Sequence, residues 1–297
     1  MKIFKRVCSV FYLVAILSAV FLTGCPQTET PITTRGELID AFKNGGIYII
    51  AQDIPLSYDL TVANGTNVEL KCTKEHGAHT ITHDGDGIVV EQGTLSLGTG
   101  DALLTISYKG SYAIIQNSGN LSINAGIKLI NGDIWNWGKL EINGGSIYGG
   151  EVWNMGSFKM NDGEIYGSNK DEGIGVWNSS YKGSVGTFTM AGGAIFNKAV
   201  GVANDTTFTM TGGKIYGNSS GVSNSTNAKF TMKDGEIYSN NLDGVSNNGN
   251  FVMNGGKIYK NSRYGLYNNH GTYGGSALNN IYSNSVGNIY NKSGGSW

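Results

Sequence analysis

One unit recurs through the second half of the chain, Phe-x-Met-x-Gly-Gly-x-Ile-Tyr-x-Asn followed by Gly-Val-x-Asn. Its Met position is filled by Ile142, Met160, Met190, Met210, Met232 and Met253, and in degenerate form by Tyr273, at spacings of 18, 30, 20, 22, 21 and 20. A near-constant period of this length is the signature of a stacked-repeat architecture. Weaker copies around Leu97 and Ile123, and Ile289-Tyr290-Asn291 at the far end, extend the series to about ten rungs. In Phe188-Thr189-Met190 the two large residues alternate with Thr189, so Phe and Met share one face of a strand. Ile195, Ile215, Ile237 and Ile258 join them after the glycine turn. One such unit cannot cover its own apolar face, but units stacked about 4.8 Å apart bury a continuous column. No window of the repeats carries a helical 3.6 period, and Leu-x-x-Leu-x-Leu is missing, which argues against a leucine-rich repeat. The 46 glycines and three prolines would suit either low complexity or turn-rich repeats, and the regular placing of an apolar fraction of 39% decides for the repeat.

Over roughly residues 60 to 291 the chain resembles right-handed β-helix repeat proteins of the pectate-lyase-like architecture, including bacterial surface proteins with Phe-Thr-Met-x-Gly-Gly-x-Ile repeats. The expected fold is all-β, a single right-handed parallel β-helix. The motif is a scaffold signature, and a scaffold does not imply an activity. The resemblance implies that enzymes of this architecture act mostly on acidic polysaccharides, using arginine against sugar carboxylates with clustered acids or calcium. Beyond residue 24 this chain has only Arg35 and Arg263, and it lacks paired Asp-Asp followed by Gly-His-Gly. Acid-sugar chemistry is therefore not expected.

The first residues read as an export signal. Lys2, Lys5 and Arg6 give a positive start, and residues 10–22 form a nearly unbroken apolar run too short for a stable membrane span. The junction Leu22-Thr23-Gly24-Cys25 resembles a bacterial lipobox, which implies cleavage before Cys25 and acylation of that cysteine. Lipid chains would then hold the domain at a membrane surface. Loss of residues 1–24 takes three of the 21 basic residues, leaving 18 against 22 acidic. That mildly acidic balance argues against nucleic-acid binding. Cys8 leaves with the signal and Cys25 is the lipid site, so Cys72 has no disulfide partner in the chain. Residues 25–34, with Pro26 and Pro31, read as a tether. Residues 35–60 read as the cap of the first rung, with a short helix through Glu37 and Lys43 that stops at Asn44-Gly45-Gly46 before the strand Ile47-Tyr48-Ile49-Ile50. Residues 61–297 are then the repeats.

Several positions bear on function. Asn136, Asn154, Asn178, Asn204, Asn224, Asn247 and Asn268 share one repeat position and point inward by alternation, which favours a structural asparagine ladder over a ligand row. Tyr148, Tyr166, Phe196, Tyr216, Tyr238, Tyr259 and Tyr282 follow inward Ile residues and so face outward. Trp135, Trp153 and Trp177 follow inward Ile134, Val152 and Val176 on successive rungs and form an outward aromatic strip. Such a strip suits sugar stacking, although like rings also stabilise a parallel helix by stacking on one another. Asp133 and Glu151 precede Ile134 and Val152 at one repeat position, beside that strip. Their expected separation suits retaining glycosidase chemistry, where carboxyls lie about 5 to 5.5 Å apart, and also a pair of solvated acids near a turn. His76, His79 and His83 with Asp84 and Asp86 form the one local cluster resembling metal ligands. On an extended strand His79 and His83 lie about 13 Å apart, too far to share an ion, so no metal and no cofactor is assigned. The four histidines and Cys72 support no nucleophile arrangement. The spacing of 30 between Met160 and Met190 places insertions at residues 168–173 and 179–186, beside Trp177, where binding residues are often hung on a rigid repeat.

The sequence thus points to a cell-envelope lipoprotein, held to a bacterial membrane through its N-terminal lipid, that offers a rigid surface for adhesion or ligand binding. A glycan or a host or matrix protein is the expected partner, with Trp135, Trp153, Trp177, Tyr148 and Tyr166 as the contact residues. Two alternatives stand beside it. One is a carbohydrate-active enzyme or carbohydrate-binding module on the tryptophan strip, with Asp133 and Glu151 as the acids; the other is a purely structural envelope spacer.

Overall fold

A computed structural model of the chain describes residues 29–85, 87–109 and 113–292. The predicted signal, Cys25 and residues 26–28 lie outside these residues, as do Asp86 and Trp297. The rest of the segment read as a tether is built into the fold: Thr30–Ile32 is a strand paired in parallel with Tyr48–Ile50, and Ile32 is buried in the core.

The chain winds into a parallel β-solenoid in which each coil contributes strands to two long sheets of 19 and 11 strands. The 11-stranded sheet counts coils most simply, running from Leu60–Val62 to Gly287–Asn291. The repeat alone suggested about ten rungs. Early coils were harder to see because Leu, Val and Ile replace the Phe-x-Met pair there, as in Val68 and Leu70 paired with Leu95 and Leu97. Pairing within both sheets is parallel and mostly in register, so chemically equal positions stack: Phe188 on Phe208, Met190 on Met210, Ile195 on Ile215.

The core is a set of one-residue columns. Phe158, Phe188, Phe208, Phe230 and Phe251 are buried and stacked, with ring centroids 4.5 to 5.0 Å apart. Each such ring stabilises the fold by about 1.5–3 kcal/mol through burial alone. The glycine pair of the repeat is a bend inside one strand in some coils, as in Thr207–Tyr216, and a break between two in others, as between Thr187–Met190 and Ala194–Phe196. In Thr207–Tyr216 the register shifts between Thr211 and Lys214, and Gly213 has φ 81°. A Cβ at Gly212 would collide with the carbonyl oxygen of Ala191 on the preceding coil. The pair is thus required by both conformation and close approach.

Polar columns complete the interior. The predicted asparagine ladder is present and runs one coil further at each end, from Asn117 to Asn291, with each Nδ2 donating to the next Oδ1 at 2.6 to 2.8 Å. A second ladder of Asn218, Asn240, Asn261 and Asn284 runs at the turn after the Ile-Tyr pair. There each backbone N–H also donates to the next asparagine side chain, at 3.0 to 3.1 Å.

At the N-terminal end the helix Arg35–Asn44 buries Leu38, Ala41 and Phe42 against Ile54–Leu56 and Leu60–Val62. Thr34 and Glu37 form a capping box at its start, and Gly45, at φ 68°, ends it. The strand Gly46–Ile50 already pairs within the larger sheet, so the solenoid begins inside the segment read as a cap. At the other end Ile289 stands in register with fully buried Leu266 but is 37% exposed, since no further coil covers it among the described residues.

Candidate functional site

Trp135, Trp153 and Trp177 pair in register on adjacent strands of the smaller sheet, each following a buried Ile or Val. The strip is half-buried rather than fully exposed. Trp137, Met155 and an antiparallel hairpin, Ser180–Tyr181 against Ser184–Val185, stand beside it. That hairpin is the second of the two predicted insertions. Together Trp135, Trp137, Trp153, Met155, Trp177, Ser179, Ser180 and Tyr181 line a groove of about 420 Å³, within the range of roughly 300–1,000 Å³ usual for small-molecule sites.

The indoles are held from behind. Trp153 Nε1 donates to Glu151 Oε2 at 2.8 Å, and Trp177 Nε1 donates to Asp205 Oδ2 at 2.6 Å. Asp205 is itself fixed by the Ser225 hydroxyl, 2.5 Å from Oδ1. Trp135 Nε1 is buried without a hydrogen-bond partner, and its ring meets Trp137 edge-on at 84°. Successive rings along the strip are tilted, by 38° between Trp135 and Trp153 and by 57° between Trp153 and Trp177.

Asp133 and Glu151 lie on adjacent coils as predicted, but neither lines the groove. Glu151 has both oxygens engaged, Oε2 by Trp153 and Oε1 by the Ile174 N–H at 2.9 Å. Asp133 Oδ1 accepts from the Glu151 N–H at 2.9 Å. Burial raises the Asp133 carboxyl above the usual carboxylate range, and the Glu151 charge adds to this, while that N–H and Lys198 oppose it. The geometry casts the pair as the polar support of the strip.

Lys198 was not singled out in the sequence and is the third member of this cluster. It occupies the second ladder's asparagine position, where its N–H donates to Asn218 Oδ1 at 3.0 Å. Its side chain reaches past one coil to donate from Nζ to the Gly150 carbonyl at 2.8 Å, and it is 2% exposed. Burial lowers its pKa from the ordinary 10.5, against the attraction of Glu151, Asp133 and Glu172. The insertion at residues 168–173 supplies Glu172 and is tied to the Ser219 hydroxyl through the Lys170 carbonyl at 2.8 Å.

A lowered lysine pKa means that, between that value and 10.5, the unfolded chain binds more protons than the folded one. Lys198 therefore makes stability rise with pH in that window. Tyr216, Tyr238 and Tyr259 have raised pKa values and act in the opposite sense, but they are common to wild type and variant. Denaturant unfolding of both proteins at pH 7 and pH 10 is expected to find Lys198→Met gaining on wild type at the lower pH and losing that advantage at the higher. A constant difference would show that Lys198 is not desolvated in the fold.

Tyr148 and Tyr166 are not brought to the groove. They stand in the larger sheet at the head of the outward column that continues through Phe196, Tyr216, Tyr238, Tyr259 and Tyr282. His79 and His83 end one strand; His79 Nε2 meets the His76 carbonyl oxygen at 2.7 Å, and His83 Nε2 meets that of Tyr58 at 3.0 Å. Arg263 is engaged by the carboxylate of buried Asp243.

These features define a class: a parallel β-solenoid with an aromatic groove walled by an inserted hairpin and braced by buried carboxylates. No protein-family model, curated protein sequence or solved structure matches the chain.

Proposed function

We propose that this chain is a cell-envelope lipoprotein whose solenoid presents the tryptophan groove as a ligand-binding surface in adhesion. The observation that carries the reading is the convergence of four indoles and Tyr181 on one groove at the place where the repeat is interrupted by an insertion. Outward aromatic positions elsewhere stack into a column, whereas here an added hairpin walls a concavity. Anchoring follows from the Leu-Thr-Gly-Cys junction, which would place the lipid on Cys25, a few residues ahead of the strand Thr30–Ile32. A glycan or a host or matrix protein is the proposed partner.

A carbohydrate-active or carbohydrate-binding role on the same strip is the second reading, supported by the raised carboxyl of Asp133 beside Glu151. The engagement of both Glu151 oxygens by protein donors favours binding over turnover.

Metabolic labelling with a fatty-acid analogue is expected to mark wild type and not Cys25→Ala, and equal labelling would refute the anchor. The purified full chain is then expected to retain members of a glycan and matrix-protein array. An array with no retained member would refute the adhesive reading.

A further inference from the structure

We propose that the groove is a cage for a quaternary ammonium group of the choline type. This rests on the reading of the groove as a ligand site and names its ligand class.

Ring geometry is the first argument. Along the outward column from Tyr166 to Tyr282 the rings lie nearly parallel, between 6° and 12°, including at Tyr259, where Lys260 Nζ stands 5.9 Å from a single ring. Two places depart from this with a protein cation over two rings at once. Tyr148 and Tyr166 tilt by 48° where Lys128 Nζ lies 5.2 and 5.9 Å from their centroids. Tyr264 and Tyr267 tilt by 31° where the Arg263 guanidinium lies 5.8 and 4.9 Å away. The tryptophans tilt by 38° and 57°, with Trp137 at 84°, yet among the described residues no lysine or arginine lies over an indole. The indoles have the tilt of the protein's own two-ring cation sites without a cation over them.

Charge is the second argument. Among the described residues no charged side chain lines the groove. Glu151 and Asp205 accept from the Trp153 and Trp177 N–H groups, which places negative charge behind the rings and enriches their faces. Tryptophan faces are the strongest of the aromatic cation partners. At the rim, Lys182 Nζ already sits 5.2 Å from the Tyr181 centroid.

Hydrogen-bonding capacity then selects among cations. The polar side chains of the wall are Ser179, Ser180, the Tyr181 hydroxyl and indole N–H groups, two of which are already spent on carboxylates. A primary ammonium or a guanidinium pressed onto the rings would leave N–H donors unmet against such a wall, which is costly. A trimethylammonium has no N–H to satisfy and presents methyl groups to the rings.

The test is calorimetric titration of the purified full chain, with tryptophan fluorescence in parallel. The probes are choline, its neutral tert-butyl isostere 3,3-dimethylbutanol, ethanolamine, an oligosaccharide panel and phosphatidylcholine vesicles. Choline is expected to bind about tenfold or more tighter than the isostere or ethanolamine, the margin that cation–π contacts supply. Tyr181→Ala, at a position 53% exposed, is expected to weaken choline several-fold without moving the melting temperature, and Lys182→Ala to leave it equal or tighter. Equal binding of choline and the isostere would overturn the cage while leaving a binding groove. Binding of vesicles without free choline would mean surface partitioning and also overturns it. Oligosaccharide binding without choline overturns the ligand class but upholds the adhesive reading, and no binding of choline at all overturns the inference.

Discussion

Ile215→Asp is expected to unfold the solenoid around its coil and to lower its stability by several kcal/mol. Ile215 is fully buried and stacks in register between Ile195 and Ile237. A carboxylate there would lie in an apolar column with no partner, at a cost of about 5 kcal/mol or more, comparable with the whole stability of many domains. In a solenoid each coil contacts only its neighbours, so the damage spreads by loss of the stacking interfaces on either side. Lys214→Asp, one residue away and outward, should cost under about 1 kcal/mol even though it meets Glu236 on the next coil. Urea unfolding followed by circular dichroism measures both, and equal losses would mean that the inward and outward faces have been exchanged.

Asn204 carries the second large effect. Its Nδ2 donates to Asn224 Oδ1 at 2.8 Å and to the Lys229 carbonyl at 3.2 Å, and its Oδ1 accepts from Asn178 at 2.8 Å. Asn204→Ala strands buried groups on both neighbouring coils, each worth about 1–3 kcal/mol, so a loss of roughly 2–5 kcal/mol is expected. Asn204→Asp should be worse. It keeps the shape but sets an oxygen against Asn224 Oδ1 and buries a charge. Chemical denaturation of the two variants tests this order. An aspartate variant as stable as wild type would mean that the column is open to water rather than a closed hydrogen-bonded spine.

The columns were legible because they repeat. Phe-x-Met, Ile and the Asn of the Gly-Val-x-Asn turn recur at the same position, and alternation alone assigns their faces. The second asparagine ladder was less visible. Its members Asn218, Asn240, Asn261 and Asn284 give way to Lys198, Ser168 and Gly150 on preceding coils, so the column reads as variable in sequence. Lys198 was missed for the same reason, and the signal that could have found it is a lysine standing where the following repeats place asparagine. Of the site, the Trp135, Trp153 and Trp177 register and the nearby insertion were readable. What alternation could not supply was the contribution of Trp137, Met155 and the hairpin, because turn residues have no fixed face. It also predicted two free acids where Glu151 and Asp133 are bound by N–H groups, since the Ile174 and Glu151 backbone donors come from the next coil and the Trp153 indole turns back onto Glu151 two residues before it.

The central claim is that ligand is held by the tryptophan groove. Its most direct measurement is the affinity of the full chain for whatever ligand the array identifies, in wild type, in Trp135→Ala/Trp153→Ala/Trp177→Ala and in Asp133→Asn/Glu151→Gln, with melting curves alongside. The account predicts that the triple tryptophan variant stays folded, at some loss of melting temperature since the rings are half-buried and braced, and loses binding altogether. The acid variant should bind more weakly as Trp153 loosens. A triple variant that remains folded and binds with wild-type affinity would contradict the account and leave the tryptophans as a stacking column.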